Sequence, residues 1–227
     1  MNQNFSGSST FSNLAEVNTV LKNTYFMLSL TLIFSALTAA LSMYFNTQMT
    51  MGLMILSIVI MIGFPFLLGR IQNSHWAIPA TFAYTGFIGW TLGPILNVYI
   101  KTYANGPSLI MLALGSTGLI FLLLSALALN PKRNFTGIGS FLMIGMIMAF
   151  VASLVNMFFL HLPVLQLAIS VIFALISAGY ILYTTNSIVH GGCNNYVIAT
   201  VMLYVSLVNI FLTLLQLFGM FGGNRNN

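Results

Sequence analysis

The stretch YVIATVMLYVSLVNIFLTLLQLFGMF, residues 196–221, contains no Asp, Glu, Lys or Arg. A helix rises 1.5 Å per residue, so about 20 residues cross the ~30 Å hydrocarbon layer of a bilayer. The stretch also lacks the strict two-residue alternation of a transmembrane β-strand. Hydrocarbon offers the backbone no hydrogen-bond partner, and a helix satisfies its own, so this segment reads as a membrane-spanning helix. Similar runs precede it at about 24–44, 51–69, 77–100, 107–129, 137–160 and 163–183. Polar or turn-forming residues separate them: Asn46-Thr47-Gln48, Arg70 to Ser74, Asn105-Gly106-Pro107, Asn130 to Asn134, Leu162-Pro163 and His190 to Asn195. The expected fold is all-α, a polytopic membrane protein of seven transmembrane helices.

Two boundaries leave room for another count. His161-Leu162-Pro163 is all that separates the fifth and sixth runs, which fits either a tight hairpin or a re-entrant pair. Gly93-Pro94 lies inside the third run, where proline removes a backbone donor and is expected to kink or break the helix. Six spans would result if one segment only dips into the membrane.

Composition supports a lipid-solvated chain. Of 227 residues, 59% are hydrophobic and 3% charged, against about 25% charged in an ordinary soluble domain. The charged residues are Glu16, Lys22, Arg70, Lys101, Lys132, Arg133 and Arg225, all outside the apolar runs. No basic cluster exceeds two residues, which excludes nucleic acid as an expected partner. With seven spans, Lys22, Arg70, Lys132 and Arg133 fall on one side, and Lys101 and Arg225 on the other. The positive-inside rule then places the N-terminus in the cytosol. Residues 1–23 read as a flexible polar tail, with a short helix around Asn13 to Lys22. Residues 24–221 form the membrane domain, and 222–227 a short C-terminal tail. Residues 1–19 lack an apolar h-region, so the first span is expected to serve as its own insertion signal.

Chemistry is sparse. No Asp or Glu sits in any span, which removes the carboxylates on which proton-coupled transport and divalent-cation sites generally rely. There is no nucleotide loop, GxSxG elbow or HExxH sequence, and no enzyme activity, catalytic residue or cofactor is expected. His190 and Cys193 supply only half a zinc site; Gly191-Gly192 between them reads as a helix stop. Cys193 is the only cysteine, so the chain makes no internal disulfide. Ser170, Ser177 and Thr184 share one face of the sixth span, and Ser206, Asn209 and Thr213 one face of the seventh. These faces fit either a polar pathway or interhelical hydrogen bonding. Gly86, Gly89 and Gly93 in the third span, like Gly115 and Gly118 in the fourth, fit either close helix packing or a hinge about Pro94.

Several stretches carry a resemblance. They are LKNTYFMLSLTL (21–32), FAYTGFIGWTLGPILN (82–97), LAIS (167–170), TNSIVHGG (185–192) and ATVMLYVSLVN (199–209). In order, they resemble the bacterial YccA branch of the Bax inhibitor family, also called the transmembrane Bax inhibitor motif family, over about residues 14–220. The resemblance implies a seventh helix central in a six-helix surround, and residence in the bacterial inner membrane. It also implies association with the membrane-anchored AAA protease FtsH and its HflK/HflC partners, as a modulator or slow substrate. Other members behave as pH-sensitive calcium leak channels, latched by two acids that share a proton on the sixth and seventh helices. The matching positions here are Thr184 and Ser206, with Asn186 and Asn209 nearby on the same helices. Hydroxyls do not titrate near neutral pH, so the latch does not carry over. Three readings result: an FtsH modulator, a cation or calcium leak without a pH latch, and a structural membrane protein.

Overall fold

The computed structural model describes residues 5–223, with side chains described from Glu16 onward. Its elements are α1 (Phe5–Tyr44), α2 (Met51–Ile71), α3 (Ala77–Thr102), α4 (Gly106–Ala128), α5 (Gly139–Val155), α6 (Pro163–Val189) and α7 (Tyr196–Gly222). A 3-10 turn, Thr136–Ile138, leads into α5, and a π-helical turn, Asn156–Leu160, extends it. Among the described residues there is no strand, as the absence of alternation implied. Helical backbone in α1 begins at Phe5, ahead of the apolar run that starts at 24. Most of the short C-terminal tail lies outside the described residues.

Six of the seven helices are long and apolar enough to cross a membrane; α3 falls short of that composition. Its sequence explains why. Thr81, Thr85, Thr91, Gly86, Gly89, Gly93 and Pro94 dilute its apolar content, yet all are buried against protein. A helix whose polar face is covered by neighbours needs fewer apolar side chains than one facing lipid.

That covered face meets α1. A Cβ at Gly86 would lie 2.5 Å from the Phe34 ring, and one at Gly93 2.5 Å from Ser42 Oγ. At Gly89 it would fall onto the Ser35 carbonyl and the Thr38 hydroxyl. The three glycines therefore form a seam that lets the two backbones approach. The break expected at Pro94 does not occur, and α3 stays helical from Ala77 to Thr102. Proline costs one backbone bond, but tight packing on both sides of it holds the helix. Gly115 and Gly118 behave otherwise: nothing lies within 4 Å of a Cβ at either. The expected glycine contact in α4 is absent.

Helices α1, α3, α4 and α6 each contact the next, closing a ring, and each also contacts α7. Helix α2 leans on α3 and α7, and α5 on α6. Two-thirds (67%) of α7's most apolar window is buried, against 11% for α2 and for the segment containing α5. The connections alternate between ends. At one end, Asn195 Nδ2 donates to the Gln72 carbonyl (3.0 Å), tying α6–α7 to α2–α3. At the other, Asn97 Nδ2 donates to the Met43 carbonyl (3.4 Å) and Asn105 Nδ2 to the Gly222 carbonyl (2.7 Å).

Helix ends follow local rules. Thr50 Oγ1 accepts from Leu53 N, and Asn195 Oδ1 from Val197 N and Ile198 N, each capping a helix start. Helix α6 stops where Gly191 takes a positive φ of 70°. Gly192 N then donates to the Ser187 carbonyl and Gly191 N to the Ile188 carbonyl, the paired bonds of a Schellman stop. Between α5 and α6, Asn156 Oδ1 accepts from Leu162 N (3.0 Å), and its Nδ2 donates to the Leu162 carbonyl and Gln166 Oε1 (both 3.2 Å). His161 turns there at a φ of 52°. The junction is a tight hairpin.

Substituting Gly89→Leu should lower stability by about 1–3 kcal/mol, since neither the Ser35 backbone nor α3 can yield. Gly115→Leu, facing open space, should leave stability near wild type. Thermal unfolding of both variants in mild detergent checks the contrast.

Candidate functional site

The two polar stripes expected on α6 and α7 face each other. Asn209 Nδ2 donates to Ser177 Oγ (3.2 Å), and Thr213 Oγ1 to the Ser170 carbonyl (2.9 Å). Higher on the seam, Thr184 and Ser206 do not bond to one another. Thr184 Oγ1 reaches Met202 Sδ at 3.9 Å, a weak contact, while Ser206 Oγ donates to its own helix at the Met202 carbonyl (2.8 Å). Both hydroxyls are buried. Both contact Met202, one its thioether and the other its carbonyl.

Asn186 lies elsewhere. It is fully buried, and its Nδ2 donates to the carbonyls of Ala128 (3.0 Å) and Arg133 (2.8 Å). Its Oδ1 accepts from Phe135 N (2.7 Å). One amide thus holds the whole Asn130–Asn134 turn, with Lys132 and Arg133, against the end of α6. Sequence reasoning placed Asn186 near the seam and missed this role, because its partners lie more than fifty residues away in the chain.

The same end of the bundle carries two clefts. One, of ≈ 390 Å³, lies between the start of the described α1 side chains and the end of α6, with Glu16, His190 and Cys193 on its walls. The second, of ≈ 270 Å³, opens between α6 and α7 and is lined by Gln72, Tyr183, Thr184, Ser187, Asn195 and Met202 among others. Thr184 is thus on the wall of this cleft, while Asn209 and Thr213 bond across the α6–α7 seam to Ser177 and the Ser170 carbonyl. Among the described residues no three His, Cys, Asp or Glu side chains converge. Burial pushes the Cys193 thiol pKa up from its ordinary value.

A second polar junction lies within the bundle. Tyr204 of α7 is fully buried; its hydroxyl donates to the Thr85 carbonyl of α3 (3.1 Å). Having spent its one proton there, it accepts from Ser35 Oγ of α1 at 2.7 Å. The neighbouring Tyr84 hydroxyl, by contrast, is buried with no hydrogen-bond partner. A tyrosine inside an apolar run was the available signal, since a buried phenol usually finds a partner.

These features define a polytopic helical protein with hydrogen-bonded polar seams, and the chain belongs to the Bax inhibitor family. The family model described as inhibitor of apoptosis-promoting Bax1 matches residues 17–223. Among its relatives is the modulator of FtsH protease YccA of Escherichia coli K12, 45% identical over 219 residues, covering 96% of this chain and 98% of the relative. The YccA of E. coli O6:H1, named an inner membrane protein, is equally similar. An uncharacterized protein of Pseudomonas aeruginosa is 43% identical over 225 residues, covering 98% of each chain.

Replacing Asn186 by Leu strands two backbone carbonyls and one N–H. It should cost about 1–3 kcal/mol and raise hydrogen exchange across residues 130–136, measurable by mass spectrometry. At Cys193, the raised pKa lowers the thiolate fraction at any given pH. Alkylation by iodoacetamide should therefore be slower than that of an ordinary exposed thiol, and its rise with pH should be displaced to higher pH.

Proposed function

We propose that this protein is an inner-membrane modulator of the membrane-anchored AAA protease FtsH. The observation that carries the reading is likeness over nearly the full length of a relative named for that role, in a fold with no assembled catalytic or metal site among the described residues. Association with HflK/HflC extends the same reading.

Topology belongs to it as well. Helix α3 runs between the same two ends as the other helices, and the polar residues that lower its hydropathy are covered by α1 and α7. Seven spans with α7 at the centre account for this, the seventh being held by α1, α3, α4 and α6 and flanked by α2. Arg70, Lys132 and Arg133 then share one end with the start of α1, and Lys101 lies at the other. The positive-inside rule places the former end in the cytosol. Residues 1–23, on that side, form the handle a cytosolic ATPase would grip, and the packed bundle slows withdrawal of the spans behind it. A slow substrate occupies the protease and spares others.

A leak channel is the second reading, and the polar cleft above Thr184 is what favours it. The bonds below it, and the absence of a titratable group at Thr184 and Ser206, argue for weak conduction without a pH response.

Affinity purification from membranes in mild detergent should co-isolate the protease, and added protein should slow cleavage of a second membrane substrate in vesicles. Failure of both would overturn the modulator reading. Ion flux in liposomes that is robust between about pH 5 and 8 would favour the channel instead.

A further inference from the structure

Burial is distributed unevenly along the chain. Of the six most apolar spans, α1 and α7 have the largest buried shares, 33% and 67% of their windows, whereas α2 and the segment containing α5 have 11%. The first and last spans are thus well held, as is α3 between them, while the loosely held α2 and α5 are internal. The end spans are also bonded to each other. Ser35 Oγ and Tyr204 OH join α1 to α7, and Tyr204 joins both to α3; the Thr200 hydroxyl, which donates to the Tyr196 carbonyl of its own helix (2.7 Å), lies 3.3 Å from the Thr24 carbonyl. The glycine seam locks α1 to α3 around the same level, since Gly89 packs on Ser35 itself.

We propose that the Ser35–Tyr204–Thr85 junction is an extraction lock, which makes α1, α3 and α7 yield as one unit when the chain is pulled from its N-terminal side. This rests on the modulator reading above, and names the feature that makes the protein a slow substrate. A machine that draws a membrane protein out of the bilayer needs a free end. In the topology proposed above the protease meets α1 first, and α1 is tied into the lock. Helices α2 and α5, which contact few neighbours, follow only after α1 has left. Hydrocarbon offers the Tyr204 hydroxyl no partner, and Ser35 can recover one only from its own helix, so parting the helices costs these bonds.

The test uses full-length protein in vesicles with purified FtsH and ATP, comparing wild type, Tyr204→Phe, Ser35→Ala and Tyr84→Phe. Tyr84→Phe is the control, since its hydroxyl is buried but bonds to nothing. Interhelical hydrogen bonds in a bilayer are modest, so loss of the full-length chain should be roughly threefold to tenfold faster for Tyr204→Phe. Ser35→Ala should be accelerated less, and Tyr84→Phe should match wild type. Cleavage of exposed loops by trypsin, which needs no pulling, should be the same for all four. If Tyr204→Phe and Ser35→Ala are degraded at the wild-type rate, or if Tyr84→Phe is accelerated equally, the lock is overturned. Equal acceleration of tryptic cleavage would mean general loosening and would overturn it too. Should Tyr204→Phe fail to fold, Ser35→Ala decides alone. The modulator reading fails separately, if wild-type protein neither binds the protease nor slows a second substrate.

Discussion

Hydrocarbon will not hydrogen-bond, and almost every polar group in this chain is placed to answer that constraint. The helices satisfy their own backbones, and their side-chain hydroxyls mostly bond back to a carbonyl one turn earlier, as Thr24, Thr81 and Thr117 do. The remaining polar groups gather where helices meet. The α6–α7 seam, the Tyr204 junction and the Asn186 and Asn156 clamps are four instances of one solution. Each places amides or hydroxyls where only protein, not lipid, surrounds them. Since apolar side chains gain little by leaving lipid for one another, these polar contacts and the close glycine approaches supply much of the specificity of packing.

Helix positions were legible in the sequence because lipid imposes its own length and composition on any segment it surrounds. All seven runs correspond to helices, and the sixth and seventh stripes face one another as their spacing implied. The stop at Gly191 was readable from local backbone chemistry, and the hairpin at His161 is one of the two readings its sequence allowed. Position within the bundle was not. Helix α3 is diluted by threonine and glycine because it is covered, and composition alone cannot distinguish a covered helix from a non-spanning one. Gly86, Gly89 and Gly93 pack tightly while Gly115 and Gly118 face open space, though the two patterns look alike in one dimension. Asn186 was misplaced for a related reason: its role is fixed by the Asn130–Asn134 turn, which the chain brings back only after α5 and most of α6.

Little reactive chemistry is gathered at any one place among the described residues. The chain has one acid, Glu16, on the wall of a cleft, and burial raises the pKa of its only thiol. Where channel-like relatives are expected to carry a proton-sharing pair, this bundle places Thr184, Met202 and Ser206. The Met202 thioether beside Thr184 and the Met202 carbonyl that takes the Ser206 proton carry no group that titrates near neutral pH.

The short hairpin between α5 and α6 has a consequence for how the protein is made. Asn156 closes the turn using only residues up to Gln166, so the connection can form before α7 is synthesised. With so little chain between them, neither helix can enter the bilayer and leave its partner outside. Helix α5, which touches little else, is thereby delivered to its place by α6. During biogenesis the two amount to a single inserting unit, and that unit must already be in the membrane when the last helix arrives to fill the space among its neighbours.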